Sequence, residues 1–256
     1  MDLFRLTLST LIARKMWIVV FLSALLLPMV LPYFVPYETN VKLLEPARAQ
    51  TAWTVTWLLG IMWTLSQAAR FGDSNSRTGI GAYFRSQGCG PLKQIFGMWS
   101  AIMLFLLPVV AVAVLICLLF AMPSDAKEAS MWVATNLQFA VLFLLTIGPL
   151  ALLGVGLASR FGSLVGYVVP TALCLYGLYG VGYVGMTIKL RDNPLLEWVY
   201  ALSPQYHLAD LTPRLIFKMG NLPSADFLSY VAYFAAVTLV IGSFATLLFR
   251  TDPLRH

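Results

Sequence analysis

The sequence predicts an all-α membrane protein with six transmembrane helices, and three observations carry that prediction. Six long apolar runs, at 17–36, 49–69, 95–122, 131–158, 164–187 and 227–249, contain no Asp, Glu, Lys or Arg. Each reaches the roughly 20 residues needed to cross a hydrocarbon core. Second, the chain is 59% hydrophobic and only 11% charged, where a soluble domain carries about 25% charged residues. Third, the cations are sorted. Residues 1–16, 70–94, 159–163 and 250–256 hold ten Lys/Arg against Asp2, Asp73 and Asp252, a net of +7. Residues 37–48, 123–130 and 188–226 hold seven basic and eight acidic residues, a net of −1. Lys and Arg mark the cytoplasmic face, so both termini are expected there. The overall charge of +6 is thereby a topology signal, and no nucleic-acid partner is expected. The spans and their short connections use up the 256 residues, leaving a single domain over 1–256.

Residues 3–15 alternate Leu3, Phe4, Leu6, Leu8, Leu11 and Ile12 with Arg5, Thr7, Ser9, Thr10, Arg14 and Lys15 at helical period. Such a segment lies along the inner interface, or serves as the cationic flank of the first span. Pro28, Pro32 and Pro36 end span one, and Tyr33, Phe34 and Tyr37 suit an aromatic belt. Ala47-Arg48-Ala49 has the small-x-small look of a signal cleavage site. It follows a full-length span rather than a signal core of about 7–15 residues, so 17–36 is read as retained.

After span two, residues 71–79 (Phe-Gly-Asp-Ser-Asn-Ser-Arg-Thr-Gly) read as turn chemistry. Ile80 to Gln87 then forms a short helix with Ile80, Tyr83 and Phe84 on one side. Gly88-Cys89-Gly90-Pro91 breaks it, with Pro91 at the first turn of the next helix. Between spans five and six, Asn193 caps and Pro194 starts a helix bearing Leu195, Leu196, Trp198, Val199 and Leu202. Ser203-Pro204 repeats that signal for a second segment with Leu208, Leu211 and Leu215, and Ser224 is expected to cap span six. Span five carries Tyr176, Tyr179 and Tyr183 on one face beside Gly177, Gly180, Gly182 and Gly185. Glycines let another backbone approach closely, so this is a packing face, a substrate path, or both where two copies meet.

Catalytic chemistry is missing from the pattern. No Gly-x-x-x-x-Gly-Lys-Ser/Thr loop and no His-Glu-x-x-His stretch occurs. The two histidines, His207 and His256, lie outside the spans, so an intramembrane Ser–His hydrolase is not expected. His207 reads as a hydrogen-bonding residue of the outer interface. Cys89, Cys117 and Cys174 lack metal or disulfide spacing. No catalytic, cofactor or metal residue is therefore assigned. With no charge in any span, ion coupling within the chain has no carrier.

Two stretches resemble the membrane subunit of ATP-binding-cassette (ABC) transporters of the second permease type, the exporter-like class. Residues 79–97, from Gly79-Ile80-Gly81-Ala82-Tyr83-Phe84-Arg85 to Gly97, are similar to that family's Gly-Thr-x-Glu-x-Leu-Leu-x-x-Pro-Val-Ser-Arg stretch. Residues 202–214 resemble its Pro-x-x-Tyr-x-x-Asp/Glu-x-x-Arg pattern at Pro204, Tyr206, Asp210 and Arg214. Asp73 is the one acid in the first loop, Gly81 and Ala82 stand where a carboxylate is common, and Gly88 replaces a proline. The resemblance implies an N-terminal interfacial helix, a cytoplasmic coupling helix between spans two and three, and short outer-leaflet helices between spans five and six. It also implies a bacterial inner-membrane permease that works with a second permease copy and two copies of a cytoplasmic ATPase, which hold the ATP and Mg. Ile80, Tyr83, Phe84, Arg85 and Gln87 would meet the ATPase. Trp57, Tyr176, Tyr179 and Tyr183 would line a path for amphipathic or lipid-like cargo passing among membrane lipid. The alternative is a non-transporting scaffold or maturation factor driven by an ATPase partner. An enzyme working through outer-loop residues is a third reading, which no motif supports.

Overall fold

The computed structural model describes residues 3–34, 41–190 and 193–252, and all regular structure among them is helical. Pro36, Tyr37 and His256 lie outside the described residues. Among the described residues, five helices are long and apolar enough to cross a membrane: Met16–Phe34, Pro91–Leu119, Ala126–Phe161, Ser163–Leu190 and Ser224–Leu248. They coincide with the first and third to sixth apolar runs.

The expected amphipathic start is helix α1 (Leu3–Ala13), which buries Leu3, Thr7 and Leu11, every fourth residue along one face. Lys15, at φ 55°, turns the chain into α2 (Met16–Val30), which tightens into a 3₁₀ turn at Leu31–Phe34 around Pro32. The second run lies in a helical stretch over 41–77, well beyond the expected 49–69. It comprises α3 (Val41–Leu59), a π turn at Gly60–Thr64 and α4 (Leu65–Arg77). This stretch is not among the five most apolar helices. Gln50, Thr54, Thr56, Thr64, Ser66 and Gln67 interrupt it, and of these Thr56, Thr64 and Gln67 are buried.

The turn expected at 71–79 is a correction: the helix continues through Arg77. Gly72 is there for close crossing rather than for a turn, since a side chain at Gly72 would collide with the Val155 carbonyl. The hydroxyls that suggested a turn bond back along the helix instead, Thr78 Oγ1 to the Ser74 carbonyl at 2.7 Å and Ser76 Oγ to that of Asp73 at 3.1 Å. Gly79, at φ 74°, makes the actual break. Helix α5 (Ile80–Ser86) follows, and α6 (Pro91–Leu119) starts on Pro91 as its sequence indicates.

Helix α7 (Ala126–Phe161) is the hub. Within its apolar window 78% of residues are buried, against 11% for α12 (Ser224–Leu248). Asp125 caps it by accepting from the backbone N–H groups of Lys127 and Glu128. Small residues set its crossings. Gly156 sits against the Ala245 backbone of α12, and Gly166 of α8 (Ser163–Leu175) sits against Ala158. Trp53 on α3 stacks on Phe139 with centroids 4.0 Å apart, and its Nε1–H donates to Asn136 Oδ1 at 2.8 Å. Asn136 in turn donates to the Trp132 carbonyl, and Trp132 Nε1–H to that of Cys117. A buried indole thus gains the partner it needs, and α3, α6 and α7 are fixed in register.

A second π turn, Tyr176–Gly180, joins α8 to α9 (Val181–Leu190). Helix α10 (Pro194–Leu202) has the expected Asn193 cap, the Asn193 Oδ1 accepting from Leu195 N–H at 3.0 Å. Its apolar face is turned away from the bundle: Leu195, Trp198 and Leu202 are exposed. The segment after Pro204 is not one helix but a 3₁₀ turn at Tyr206–Ala209 and α11 (Thr212–Ile216), separated by extended Asp210. Ser203 does not cap forward, because its hydroxyl bonds back to the Val199 carbonyl at 2.5 Å. Ser224 does not cap α12 either: Pro223 holds the N-cap position and makes no side-chain cap.

Candidate functional site

The residues singled out by the sequence fall at opposite ends of α7. At the Phe161 end, α5 is braced by three neighbouring elements. Gln94, on the first turn of α6 and fully buried, donates through Nε2 to the carbonyls of Gly81 (3.0 Å) and Cys89 (2.9 Å). Its Oε1 accepts from Asn75 Nδ2 at 3.2 Å, which ties in α4. The segment after α12 closes the third side: Arg85 Nη1 meets Asp252 Oδ2 at 2.9 Å, and Arg250 N–H donates to Ser159 Oγ at 3.0 Å. Gly81 has a packing reason, since a Cβ there would stand 2.7 Å from both Asn75 Nδ2 and the Thr251 carbonyl.

This bracing separates the five residues assigned to an ATPase contact. Tyr83 is 62% exposed and Phe84 only 9%, so Phe84 belongs to the core although it shares the helix face in sequence. Arg85 and Gln87 are exposed, and Ile80 is half-buried. Ile80, Tyr83 and Gln87 line a groove of about 810 Å³ that continues along Leu3, Phe4 and Leu6 of α1 to Lys93. Phe84, although buried, also contributes to its lining. Sequence reasoning missed Asn75, Gln94 and Asp252. Two amides flanking a short helix next to apolar runs are a legible signal, whereas the Arg85–Asp252 pair joins residues too distant in sequence to be foreseen.

At the other end, the tyrosines of span five part company. Tyr176 O–H reaches Ser203 Oγ at 2.8 Å, and because the serine proton goes to Val199, the tyrosine is the donor. Tyr179 and Tyr183 are exposed, at 63% and 73%. The π turn rotates the helix between Tyr176 and Tyr179, so the three do not form one face. Gly177 packs under the Tyr206 ring and the Pro204 carbonyl, Gly180 under the ring of Tyr176, and Gly185 against Tyr200, while Gly182 meets nothing. The glycines at 177, 180 and 185 therefore serve contacts within the chain. Trp57, the fourth path candidate, is buried edge-on against Phe143, with centroids 4.8 Å apart, inside the bundle. Its Nε1–H has no partner among the described residues.

Tyr206, of the Pro-Tyr-Asp-Arg stretch, is fully buried and stacks on Phe234. Burial pushes its phenol well above the ordinary range, with Cys174 and Tyr233 adding to the shift. Tyr233 O–H, nearby, accepts from Gln205 N–H at 2.8 Å. Asp210 and Arg214 do not pair. Asp210 Oδ1 accepts from Thr212 N–H, and Arg214 Nη1 donates to the Gly220 and Asn221 carbonyls, so both fold the loop. His207 Nδ1 is buried without a hydrogen-bond partner among the described residues. No group of three or more His, Cys, Asp or Glu that could hold a metal occurs among the described residues. No protein-family model, curated protein or solved structure matches this chain.

Proposed function

We propose that this chain is the permease subunit of an ABC transporter, exporting an amphipathic or lipid-like substrate with energy from a separate ATPase. In this reading the apolar run 49–69 within the 41–77 stretch is span two and completes the set of six, and the Phe161 end of α7 faces the cytoplasm with the Lys/Arg-rich segments. Helix α5 is the coupling helix. Two permease copies and two ATPase copies make the working assembly in a bacterial inner membrane. ATP and Mg sit on the ATPase, and the permease performs no catalysis of its own.

The observation that carries this reading is the bracing of α5 with Tyr83 left outside. A short helix fixed to α4, α6 and the chain after α12 is a lever: a push on Tyr83, Gln87 and Arg85 moves the spans together rather than bending a loop. Charge-free spans need such an external drive, because nothing in them couples to an ion gradient. The exposed Tyr179 and Tyr183 support contact with cargo bearing an apolar body and a polar tip.

The test is purification of the full chain from its native membrane in mild detergent. A phosphate-loop ATPase should co-purify, and Tyr83→Ser with Gln87→Ala should reduce its yield severalfold while the helical content stays unchanged. Phe84 is left intact because its loss would damage the core. An ATPase-free preparation, or an unchanged yield with the double variant, refutes the docking role. Substrate-dependent transport in vesicles then separates a permease from a scaffold that shares the same ATPase.

A further inference from the structure

We propose that the cavity between α1, α4 and the start of α6 is a binding site for a phosphate group, held by Arg14 and Arg70. The cavity has a volume of about 210 Å³, and its polar lining comes from Thr7, Thr10, Arg14, Arg70, Ser74 and Asn75. No carboxylate lines it. Asp73, the nearest acid in sequence, faces Arg77 instead, its Oδ1 2.7 Å from Nε though without hydrogen-bond alignment. Neither Arg14 nor Arg70 forms a salt bridge among the described residues.

Arg14 is half-buried, and its Nη1 is buried with no hydrogen-bond partner among the described residues. Its guanidinium stands 5.7 Å from the centre of the Phe71 ring, and both residues line the cavity. Loss of hydration lowers its pKa first, and the like charge of Arg70 lowers it further. Asn75, 2% exposed, also has an unpartnered Oδ1 at this cavity. Two like charges line one cavity with no counter-ion among the described residues and repel each other, and Nη1 of the half-buried Arg14 lacks a partner. An anion with several acceptor oxygens corrects both defects. Phosphate does so best, since its oxygens match the guanidinium fork two at a time.

The placement fits a membrane source. Helix α1 buries Leu3, Thr7 and Leu11 and leaves Arg5 and Ser9 exposed, the pattern of a helix lying at headgroup level. Basic pockets between helices on the Lys/Arg-rich side take anionic lipid headgroups. The unpartnered Asn75 Oδ1 could then accept from a headgroup hydroxyl. A phospholipid and free phosphate share the same recognising chemistry. This inference uses only the cavity and the spanning helices and is independent of the transporter reading.

The test places the full chain in phosphatidylcholine nanodiscs, one arm with a minor fraction of phosphatidylglycerol and the other with inorganic phosphate. Retained lipid is counted by native mass spectrometry, and bound phosphate is read by phosphorus NMR line broadening. Arg14→Gln with Arg70→Gln should lower phosphatidylglycerol retention about tenfold or more. Arg70→Gln alone, at an exposed position that packing does not need, should lower it severalfold. The control Arg5→Gln with Lys93→Gln removes the same charge from exposed positions and should leave retention within about twofold. Arginine-dependent binding in the phosphate arm alone identifies free phosphate as the source and keeps the site. Equal retention in wild type and Arg70→Gln, or equal losses in the control, overturns it.

Discussion

Replacing Gln94 by Leu should free α5 while leaving the bundle folded, and the structure sets the size of the effect. Leucine approximates the glutamine in bulk but removes the hydrogen bonds to the Gly81 and Cys89 carbonyls and to the Asn75 amide. A typical intramolecular hydrogen bond contributes about 0.5–1.5 kcal/mol, and a buried group left unsatisfied costs about 1–3 kcal/mol. Both Oδ1 and Nδ2 of Asn75 would then be without partners, since Oδ1 already has none among the described residues. The combined loss is on the order of 3 kcal/mol, which is roughly a hundredfold in the opening equilibrium of α5. Amide hydrogen exchange in detergent or nanodiscs reads this directly. The Tyr83, Gln87, Gly88 and Cys89 amides, which now bond to Gly79, Tyr83, Arg85 and Phe84 carbonyls, should exchange roughly a hundredfold faster. Amides of α10, at the far end, should not change. Arg85→Gln should act far more weakly, because the Arg85 and Asp252 side chains are 56% and 67% exposed and such pairs contribute about 0–1 kcal/mol. Unchanged exchange in α5, or an equal rise in α10, would show that Gln94 is not the brace.

Two further outcomes follow from the packing. Gly72→Val should destabilise the protein by about 1–3 kcal/mol or more through overpacking against the Val155 backbone, whereas Gly182→Ala, with nothing within 4 Å, should be neutral or stabilising by up to about 1 kcal/mol; thermal unfolding in one detergent compares them, and similar midpoints would refute the crossing. Burial raises the Tyr206 pKa, so above the ordinary phenol value of 10.0 the unfolded chain releases a proton that the folded chain keeps. Stability should therefore fall above that pH, with a limiting slope of about 1.4 kcal/mol per unit for this group, and Tyr206→Phe should flatten the fall in denaturant titrations.

The sequence by itself determined the helical class, the positions of five long apolar helices, the amphipathic α1 and the α5 break at Gly88–Pro91. These follow from local quantities: run length, period, and the backbone limits of Pro and Gly. The Asn193–Pro194 start was legible for the same reason, since a cap acts within one turn. Tertiary structure decided whether a glycine or serine turns the chain or packs it. Gly72 reads as a turn residue until Val155 is seen beside it, and the hydroxyls of Ser76 and Thr78 then serve the helix they seemed to break. It also decided which residues of one helical face remain available. Tyr83 and Phe84 are indistinguishable in pattern, yet α5 is pinned by Gln94, Asn75 and the chain beyond α12, so one ring lies inside and the other outside. The same holds for Tyr176 and Tyr179, where a π turn shifts the period that the sequence rule assumes. For Gly72 and for the Arg85–Asp252 closure of α5 the deciding partner lies far along the chain, and for Tyr176 and Tyr179 it is a change of helical period; regular periodicity contains no term for either.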